Sequence, residues 1–363
     1  MASLNDLPLR DDLRGKQPYG APMVPVRYAL NVNENTHPVP DNVRQGILAD
    51  LSTALETINR YPDREFTALR DALASYASRT YRAGDITPDM VWAANGSNEV
   101  LQHVLQAFGG PGRSVLGFPP TYSMHPIIAE ATGTAWIAGR REEDFTLSTV
   151  NVVDDITRHK PDVVFFCAPN NPTGTPVSLE TIEAAYDATP GVVLVDEAYV
   201  EFLPEGTPTA AELLAGRERL VVSRTMSKAF AFAGARVGYL LGDAAVMDAM
   251  RLVRLPYHLS ALTQAAAVAA LSHQETMLAM VADIRAQRDR LLLELPEMGY
   301  PTAYSEANFV LFGGVDDPAA LFGSLLEHDI LVRDVGIPHH LRVTAGTAEE
   351  TDFFLQTLAK LSA

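Results

Sequence analysis

The sequence is poor in several residue types, and each shortage excludes a class of protein. Cys167 is the only cysteine among 363 residues, which leaves no partner for an intrachain disulfide and no cysteine-based metal site. The apolar runs fall far short of the roughly 20 residues that a membrane-spanning helix needs. The charged N-terminus also lacks the apolar core of a signal peptide. We therefore expect a soluble, cytoplasmic protein.

Basic residues are scarce as well. The chain carries 28 lysines and arginines against 45 acidic residues, a formal net charge of -17 at pH 7. Such a charge disfavours nucleic acid and anionic membranes as partners. The arginines are therefore best interpreted as groups that bind small anions locally.

Only four of the basic residues are lysines, and Lys228 has unusual neighbours. It lies in SRTMSKAFAFAGARVGYLLGD, residues 223–243, among small and apolar side chains. A lysine can lose its proton and act as a nucleophile, whereas an arginine cannot. The local sequence alone leaves two interpretations open: an ordinary surface lysine that follows a strand, and a reactive amine.

Apolar segments that alternate with amphipathic helices predict an α/β fold. Continuous apolar strands are typical of a mainly parallel sheet that helices cover on both faces. We expect this sheet in a large cofactor-binding domain over residues 41–255, followed by a small α+β C-terminal domain over 256–363. The proline-rich residues 1–40 predict an N-terminal arm that packs with the small domain or a partner subunit.

Chemically reactive side chains follow the carboxyl ends of the predicted strands, the edge at which open α/β sheets bind ligands. Asn171 follows one strand, Asp196 ends the next, and Lys228 follows the third. A buried aspartate needs a cation nearby. A structural ion pair between Asp196 and Lys228 therefore remains an alternative to a ligand site.

Further groups at the same edge favour the ligand site. The turn 96–98 joins a strand to a helix and offers backbone N–H groups to a phosphate. With Tyr122, Asn171 and Arg236, it fits a ligand that has a phosphate, a flat ring, a hydroxyl and a basic ring nitrogen. Pyridoxal 5′-phosphate is such a ligand, with a lysine Schiff base and an aspartate partner for its ring nitrogen.

Motifs that carry a family resemblance lie along nearly the whole chain: RYPD, AANGSNEVLQ, GFPPTYSMH, APNNPTG, VVLVDEAY, RTMSKAFAFAG, RLPYHLS, ANFVLFG and LRVTAGT. Together they resemble the signature of fold-type I pyridoxal-phosphate aminotransferases, and more narrowly that of the histidinol-phosphate aminotransferases. The resemblance implies an enzyme of L-histidine biosynthesis. It would interconvert histidinol phosphate and 2-oxoglutarate with imidazole-acetol phosphate and glutamate by ping-pong kinetics.

Other activities on this scaffold stay open at this point. The main alternative is an aromatic amino acid aminotransferase that acts on phenylalanine. A pyridoxal-phosphate decarboxylase of a phosphorylated amino acid and a catalytically silent binding protein are further alternatives.

The resemblance also implies a role for each matching residue. Lys228 would form the Schiff base, and Asp196 would keep the pyridine nitrogen protonated. The remaining cofactor contacts would be Tyr122 on the ring face, Asn171 and Tyr199 at the ring 3′-oxygen, and Gly96, Ser97, Asn98, Thr225, Ser227 and Arg236 at the phosphate. Tyr61 would reach the cofactor phosphate of the other subunit, so that the active unit is a homodimer with shared active sites.

Substrate binding is expected at a second set of residues. Arg342, with Arg333, would hold the anionic end of either substrate, because a guanidinium binds carboxylates and phosphates in a bidentate manner. Tyr19 and Tyr257 would add hydroxyl donors, although plain packing of the arm also explains Tyr19. We expect no metal at the histidines, His125 included, because no metal-ligand pattern surrounds them.

Overall fold

The computed structural model describes residues 3–80 and 84–362. Its strands are β1 Tyr28–Ala29, β2 Val91–Ala94, β3 Ser114–Gly117, β4 Ala135–Ala138, β5 Val163–Cys167, β6 Val192–Asp196, β7 Leu220–Thr225, β8 Gly238–Leu241, β9 Phe309–Phe312, β10 Ile330–Leu331 and β11 Leu341–Thr344. Its α-helices are α1 Asp41–Leu55, α2 Thr67–Thr80, α3 Ser97–Phe108, α4 Met124–Ala131, α5 Thr149–His159, α6 Leu179–Ala188, α7 Ala244–Val253, α8 Ala261–Ser272, α9 Gln274–Glu297, α10 Pro318–Glu327 and α11 Ala348–Leu361.

A seven-stranded sheet forms the centre of the fold, in the order β2-β8-β7-β6-β5-β3-β4. The pairs from β7 to β4 are parallel, and β8 runs antiparallel to both of its neighbours. Every residue of β5 and β6 is buried, as expected when helices cover both faces of a sheet. The predicted mainly parallel α/β sheet is confirmed.

Parallel pairing brings the chemically reactive strand ends together. In the register of the sheet, Asp196 at the end of β6 lies opposite Cys167 of β5 and Ser223 of β7. Asn171 and Lys228 follow the ends of β5 and β7. Three consecutive neighbours in the sheet therefore present their polar groups at one edge.

A buried ion pair lies beside this edge but does not line the cavity. Arg224 of β7 is completely buried, and its Nη2 lies 2.6 Å from Oε2 of Glu197. The other carboxylate oxygen, Oε1, accepts the backbone N–H of Ala210 at 2.7 Å. Because Glu197 is satisfied in this way, the adjacent Asp196 is the carboxylate that remains available to the edge.

The N-terminal segment packs on the C-terminal part of the chain. Strand β1 pairs in parallel with β10, and the ring of Tyr28 lies 5.0 Å from that of Phe353. Strand β9 pairs with β11 in antiparallel fashion. The carbonyl of Leu30 accepts the N–H of Thr344 at 2.9 Å. These contacts hold residues 31–34, which follow β1, against the edge of the large sheet.

No helix in the described parts of the chain is long and apolar enough to cross a membrane.

Candidate active site

A cavity of about 650 Å³ opens at the carboxyl ends of β5, β6 and β7. Its walls come from the sheet edge, the segment after β1 and the residues around β11. Most of the residues predicted for the site line it: Tyr19, Ser97, Asn98, Tyr122, Asn171, Asp196, Tyr199, Thr225, Ser227, Lys228, Arg236, Arg333 and Arg342. Gly96 immediately precedes the lining residue Ser97, whereas Tyr61 and Tyr257 lie elsewhere.

The Lys228 amine faces this cavity without a carboxylate partner among the described residues. Its Nζ donates to the backbone carbonyl of Val32 at 3.0 Å. Removal of solvent lowers the pKa of Lys228 to about 8, and the positive charges of Arg342 and Arg236 act in the same direction against the weaker pull of Glu34. A fraction of the amine is therefore neutral, and nucleophilic, near neutral pH.

Asp196 is held by Ser223 and His125 and not by the lysine. Its Oδ1 accepts the Ser223 hydroxyl at 2.8 Å, and its Oδ2 lies 3.2 Å from Nε2 of His125. The structure thus gives no support to the alternative of a Lys228–Asp196 ion pair. Both ionisable groups face the cavity, and neither neutralises the other.

His125 makes a contact with Asp196 that the sequence did not reveal. It is completely buried on α4, directly against the Asp196 carboxylate. Its Nε2 lies 3.2 Å from the Asp196 carboxylate, and its Nδ1 lies 3.4 Å from the Thr121 hydroxyl. Neither charge nor spacing in GFPPTYSMH signals this contact. The described residues contain no cluster of three or more His, Cys, Asp or Glu that could hold a metal ion.

The turn before α3 lies against an arginine. Gly96 has a φ of 86°, and a Cβ there would lie 2.5 Å from Nη2 of Arg236. On the other side, a Cβ on Gly238 would meet the Ser97 nitrogen at 2.2 Å. Both glycines are thus required for the N-terminus of α3 and the Arg236 guanidinium to lie side by side. This arrangement suits a dianion such as a phosphate.

Two hydroxyls lie close to each other on the same wall. Thr225 Oγ1 donates to Ser227 Oγ at 2.9 Å and accepts the Ser227 N–H at 3.1 Å. Both side chains are buried and line the cavity. They supply the uncharged donors that a phosphate accepts alongside a guanidinium.

Arg342 is a buried residue that lines the same cavity. Its Nη1 donates to Oδ1 of Asn171 at 2.5 Å, and its Nη2 donates to the carbonyl of Asn31 at 2.7 Å. Within the described parts of the chain, its buried Nε has no acceptor. Burial lowers the pKa of Arg342 to about 10, and the Arg333 charge acts in the same direction. The guanidinium therefore stays charged and can accept an anion from the cavity.

Arg333 and Arg342 come from paired backbone segments. Each donates its N–H to the carbonyl of the other at 2.9 Å, and both side chains line the cavity. Tyr19 reaches the same cavity from the N-terminal arm and remains half exposed. A ligand anion in this part of the cavity thus meets two cations of one β-bridge.

Tyr61 and Tyr257 do not line the cavity of their own chain. Their rings stack on each other, with centroids 4.4 Å apart and planes at 15°. Tyr61 is 80% exposed and Tyr257 40%. Both residues lie outside the cavity of their own chain. The expected roles of Tyr257 in substrate binding and of Tyr61 at the other subunit's cofactor stay predictions.

The segment after β1 supplies contacts that sequence analysis missed. Asn33 Nδ2 donates to the Tyr199 hydroxyl at 3.0 Å, next to the carbonyl contacts of Asn31 and Val32. The sequence offers only one indication of these contacts. LNVNENTHP, residues 30–38, carries polar side chains on backbone that is predicted to be irregular. Their targets depend on the pairing of β1 with β10, which no local pattern specifies.

Comparison of the sequence with protein families and with curated proteins identifies the family of this chain. The family of class I and II aminotransferases matches over residues 28–358. The histidinol-phosphate aminotransferase of Paenarthrobacter aurescens is 55% identical over 361 residues, which cover 99% of this chain and 96% of the relative. That of Thermobifida fusca is 53% identical, and the match covers 98% of this chain and 96% of the relative.

Solved structures share the fold. The histidinol-phosphate aminotransferase of Sinorhizobium meliloti, in complex with pyridoxal-5′-phosphate, has a TM-score of 0.83 at 23% identity, over 93% of this chain and 91% of that one. The aspartate aminotransferase of Thermus thermophilus with maleate has a TM-score of 0.81 at 25% identity, over 93% and 92%. The resemblance noted in the sequence is confirmed, because the family match and the curated relatives each span nearly the whole chain. This chain belongs to the family of class I and II aminotransferases.

Proposed function

We propose that this enzyme is a histidinol-phosphate aminotransferase of L-histidine biosynthesis that uses pyridoxal 5′-phosphate and 2-oxoglutarate. The observation that carries the proposal is the Lys228 amine, which has no carboxylate partner among the described residues and shares one cavity with the buried Asp196 carboxylate and with three arginines. The names of the similar curated relatives support the choice of substrate. They do not favour the phenylalanine aminotransferase alternative.

The residues present fit this cofactor. Lys228 supplies an amine that loses its proton readily, because its pKa is lowered to about 8. Asp196 supplies a buried carboxylate for a protonated ring nitrogen. Arg236, the first turn of α3 and the hydroxyls of Thr225 and Ser227 would hold the phosphate. When bound, the cofactor supplies an electron sink for the bond that breaks at the substrate Cα.

Side chains of the protein would carry out the proton transfer and position the cofactor. Lys228 would be the general base that takes the proton from the substrate Cα and delivers it to carbon C4′ of the cofactor. Asp196 would accept the hydrogen bond of the protonated ring nitrogen, and His125 and Ser223 hold the Asp196 carboxylate in place. Tyr122 would cover the ring face, and Asn171 and Tyr199 would bind the ring oxygen.

Substrate recognition rests on Arg342 and Arg333. Histidinol phosphate presents a phosphate and no carboxylate, whereas glutamate presents carboxylates. One guanidinium site has to accept either anion, and the planar fork of arginine suits both. Tyr19 adds a hydroxyl on the cavity wall.

We also propose that two copies of the chain form the active unit, with Tyr61 directed at the cofactor phosphate of the other subunit. The exposed Tyr61–Tyr257 stack supports this proposal, because two aromatic rings held in a fixed arrangement at the surface are typical of an interface.

The first prediction concerns Lys228. We expect Lys228→Ala to bind the cofactor without covalent attachment and to lose turnover by about 10³-fold or more, because a positioned general base and nucleophile is removed. Turnover of histidinol phosphate with 2-oxoglutarate measures the loss, and borohydride reduction followed by peptide mass spectrometry locates the attachment. The exposed Lys360 provides the matched control, Lys360→Ala, which should keep wild-type activity. Near-normal turnover by Lys228→Ala would contradict the proposed function.

The second prediction concerns the substrate. We expect kcat/KM for histidinol phosphate to exceed that for phenylalanine by at least about 100-fold, because the arginines bind the phosphate only in the former. Both amino donors are compared with 2-oxoglutarate as acceptor. Comparable values for the two donors would favour the aromatic aminotransferase instead.

The third prediction concerns shared sites. Lys228→Ala and Tyr61→Ala subunits, each defective alone, should recover roughly a quarter of wild-type activity when mixed, because half of the dimers are hybrids with one intact site. Mixing Lys228→Ala with Asp196→Asn should recover nothing, since those residues belong to the same site. Equal behaviour of the two mixtures would refute the role of Tyr61 across the interface.

A further inference from the structure

The hydroxyl oxygen of Tyr199 lies between two asparagine amides. Asn33 Nδ2 donates to it at 3.0 Å and Asn171 Nδ2 at 3.2 Å. A phenolic hydroxyl has a single hydrogen, and its oxygen accepts through lone pairs that these two donors engage. The Tyr199 hydrogen therefore cannot point at either amide, and the side chain lines the cavity.

The other end of each amide contacts a second side chain. Oδ1 of Asn171 accepts from Arg342 at 2.5 Å, and because a guanidinium can only donate, this contact fixes the direction of the Asn171 amide. Oδ1 of Asn33 accepts the Thr344 hydroxyl at 3.2 Å, while the same Thr344 oxygen accepts the Asn33 N–H at 3.1 Å. In this arrangement each side-chain NH₂ group faces Tyr199.

The backbone holds Asn33 in this position. Its φ is 57°, a left-handed conformation that asparagine adopts more readily than most residues. Its carbonyl accepts from Asn308 Nδ2 at 3.1 Å. With Thr344, these bonds connect the segment after β1 to β9 and β11 and leave the Asn33 side chain little freedom.

We propose that Asn33 is a positioning residue that, together with Asn171, directs the Tyr199 hydroxyl hydrogen into the cavity, where it meets the ring oxygen of the bound cofactor. The inference rests on the proposed function, since that oxygen belongs to pyridoxal 5′-phosphate. A fixed donor withdraws negative charge from the ring oxygen. The Lys228 nitrogen beside it then holds its own proton less tightly.

The variants described below leave the other charged and titratable neighbours in place, and Asn33→Asp itself adds one carboxylate. Those that face Tyr199 are Arg342, Cys167 and Tyr122. Those that face Lys228 are Arg342, Glu34 and Arg236. Burial raises the pKa of Tyr199 itself, so the hydroxyl keeps its hydrogen over the working pH range.

The test is a pH titration of the absorbance of the bound cofactor in the resting enzyme. Asn33→Asp preserves the shape of the side chain and its tolerance of the left-handed conformation, but its carboxylate only accepts. The Tyr199 hydrogen would turn to that carboxylate and leave the ring oxygen. We expect the titration midpoint to rise by about one pH unit, the size of effect that follows when an ionised group loses one hydrogen bond.

Two further variants separate the hydrogen bond from charge and from folding. Asn33→Gly removes the amide without adding charge and keeps the backbone conformation, so a smaller rise is expected. In a Tyr199→Phe background, Asn33→Asp should shift the midpoint by much less than it does in the wild type, because no hydroxyl remains to be directed. Asn35→Gly, two residues along the same segment, is the matched control for Asn33→Gly, since the Asn35 amide contacts the Ala229 carbonyl and not Tyr199. It should leave the midpoint unchanged.

Each outcome of these titrations supports or contradicts the proposed role of Asn33. A midpoint that Asn33→Asp and Asn33→Gly leave unchanged, while Tyr199→Phe raises it, overturns the role of Asn33. An equal shift by Asn33→Asp with and without the Tyr199 hydroxyl overturns it as well, because the charge would then act alone. Failure of the wild-type protein to bind pyridoxal 5′-phosphate would overturn the proposed function, and this inference with it.

Discussion

The site depends on one constraint, an enclosed lysine amine that has no carboxylate partner among the described residues. Lys228 donates to a backbone carbonyl, and the charge that acts on it most, that of Arg342, is also positive. Glu34 opposes this effect less strongly, and Arg236 adds a smaller effect in the same direction as Arg342. An ammonium group is costly in such surroundings, so its pKa falls to about 8. The arginines that would bind the two ends of a ligand thereby also activate the nucleophile between them.

The sheet keeps Asp196 away from this lysine. Its register places Ser223 opposite Asp196, and α4 brings His125 to the second carboxylate oxygen. Glu197, the next residue, forms an ion pair with the buried Arg224. The Asp196 carboxylate is therefore held by Ser223 and His125, and it stays available to a ligand. Had the two groups paired with each other, neither would be available for chemistry.

Much of this arrangement follows from the sequence, because it depends on strand ends. Continuous apolar runs predict parallel strands, and parallel strands bring Asn171, Asp196 and Lys228 to one edge. The contacts of Asn33 and His125 do not follow in this way. Asn33 reaches Tyr199 only because β1 pairs with β10 about 300 residues away in sequence, and such long-range pairing leaves no periodic signal. In the sequence, His125 looks like an ordinary helical residue. Only the folded structure places it against Asp196 at the end of β6.

The most direct measurement of the central claim is the pH dependence of Lys228 acylation in the cofactor-free protein, followed peptide by peptide by mass spectrometry. Only the neutral amine reacts, so a lowered pKa moves the half-maximal rate to lower pH. The structure predicts a midpoint near pH 8 for Lys228, whereas the lysine of a short unstructured peptide added to the same sample should show the ordinary value of about 10.4. Coincident midpoints for the two lysines would contradict the account.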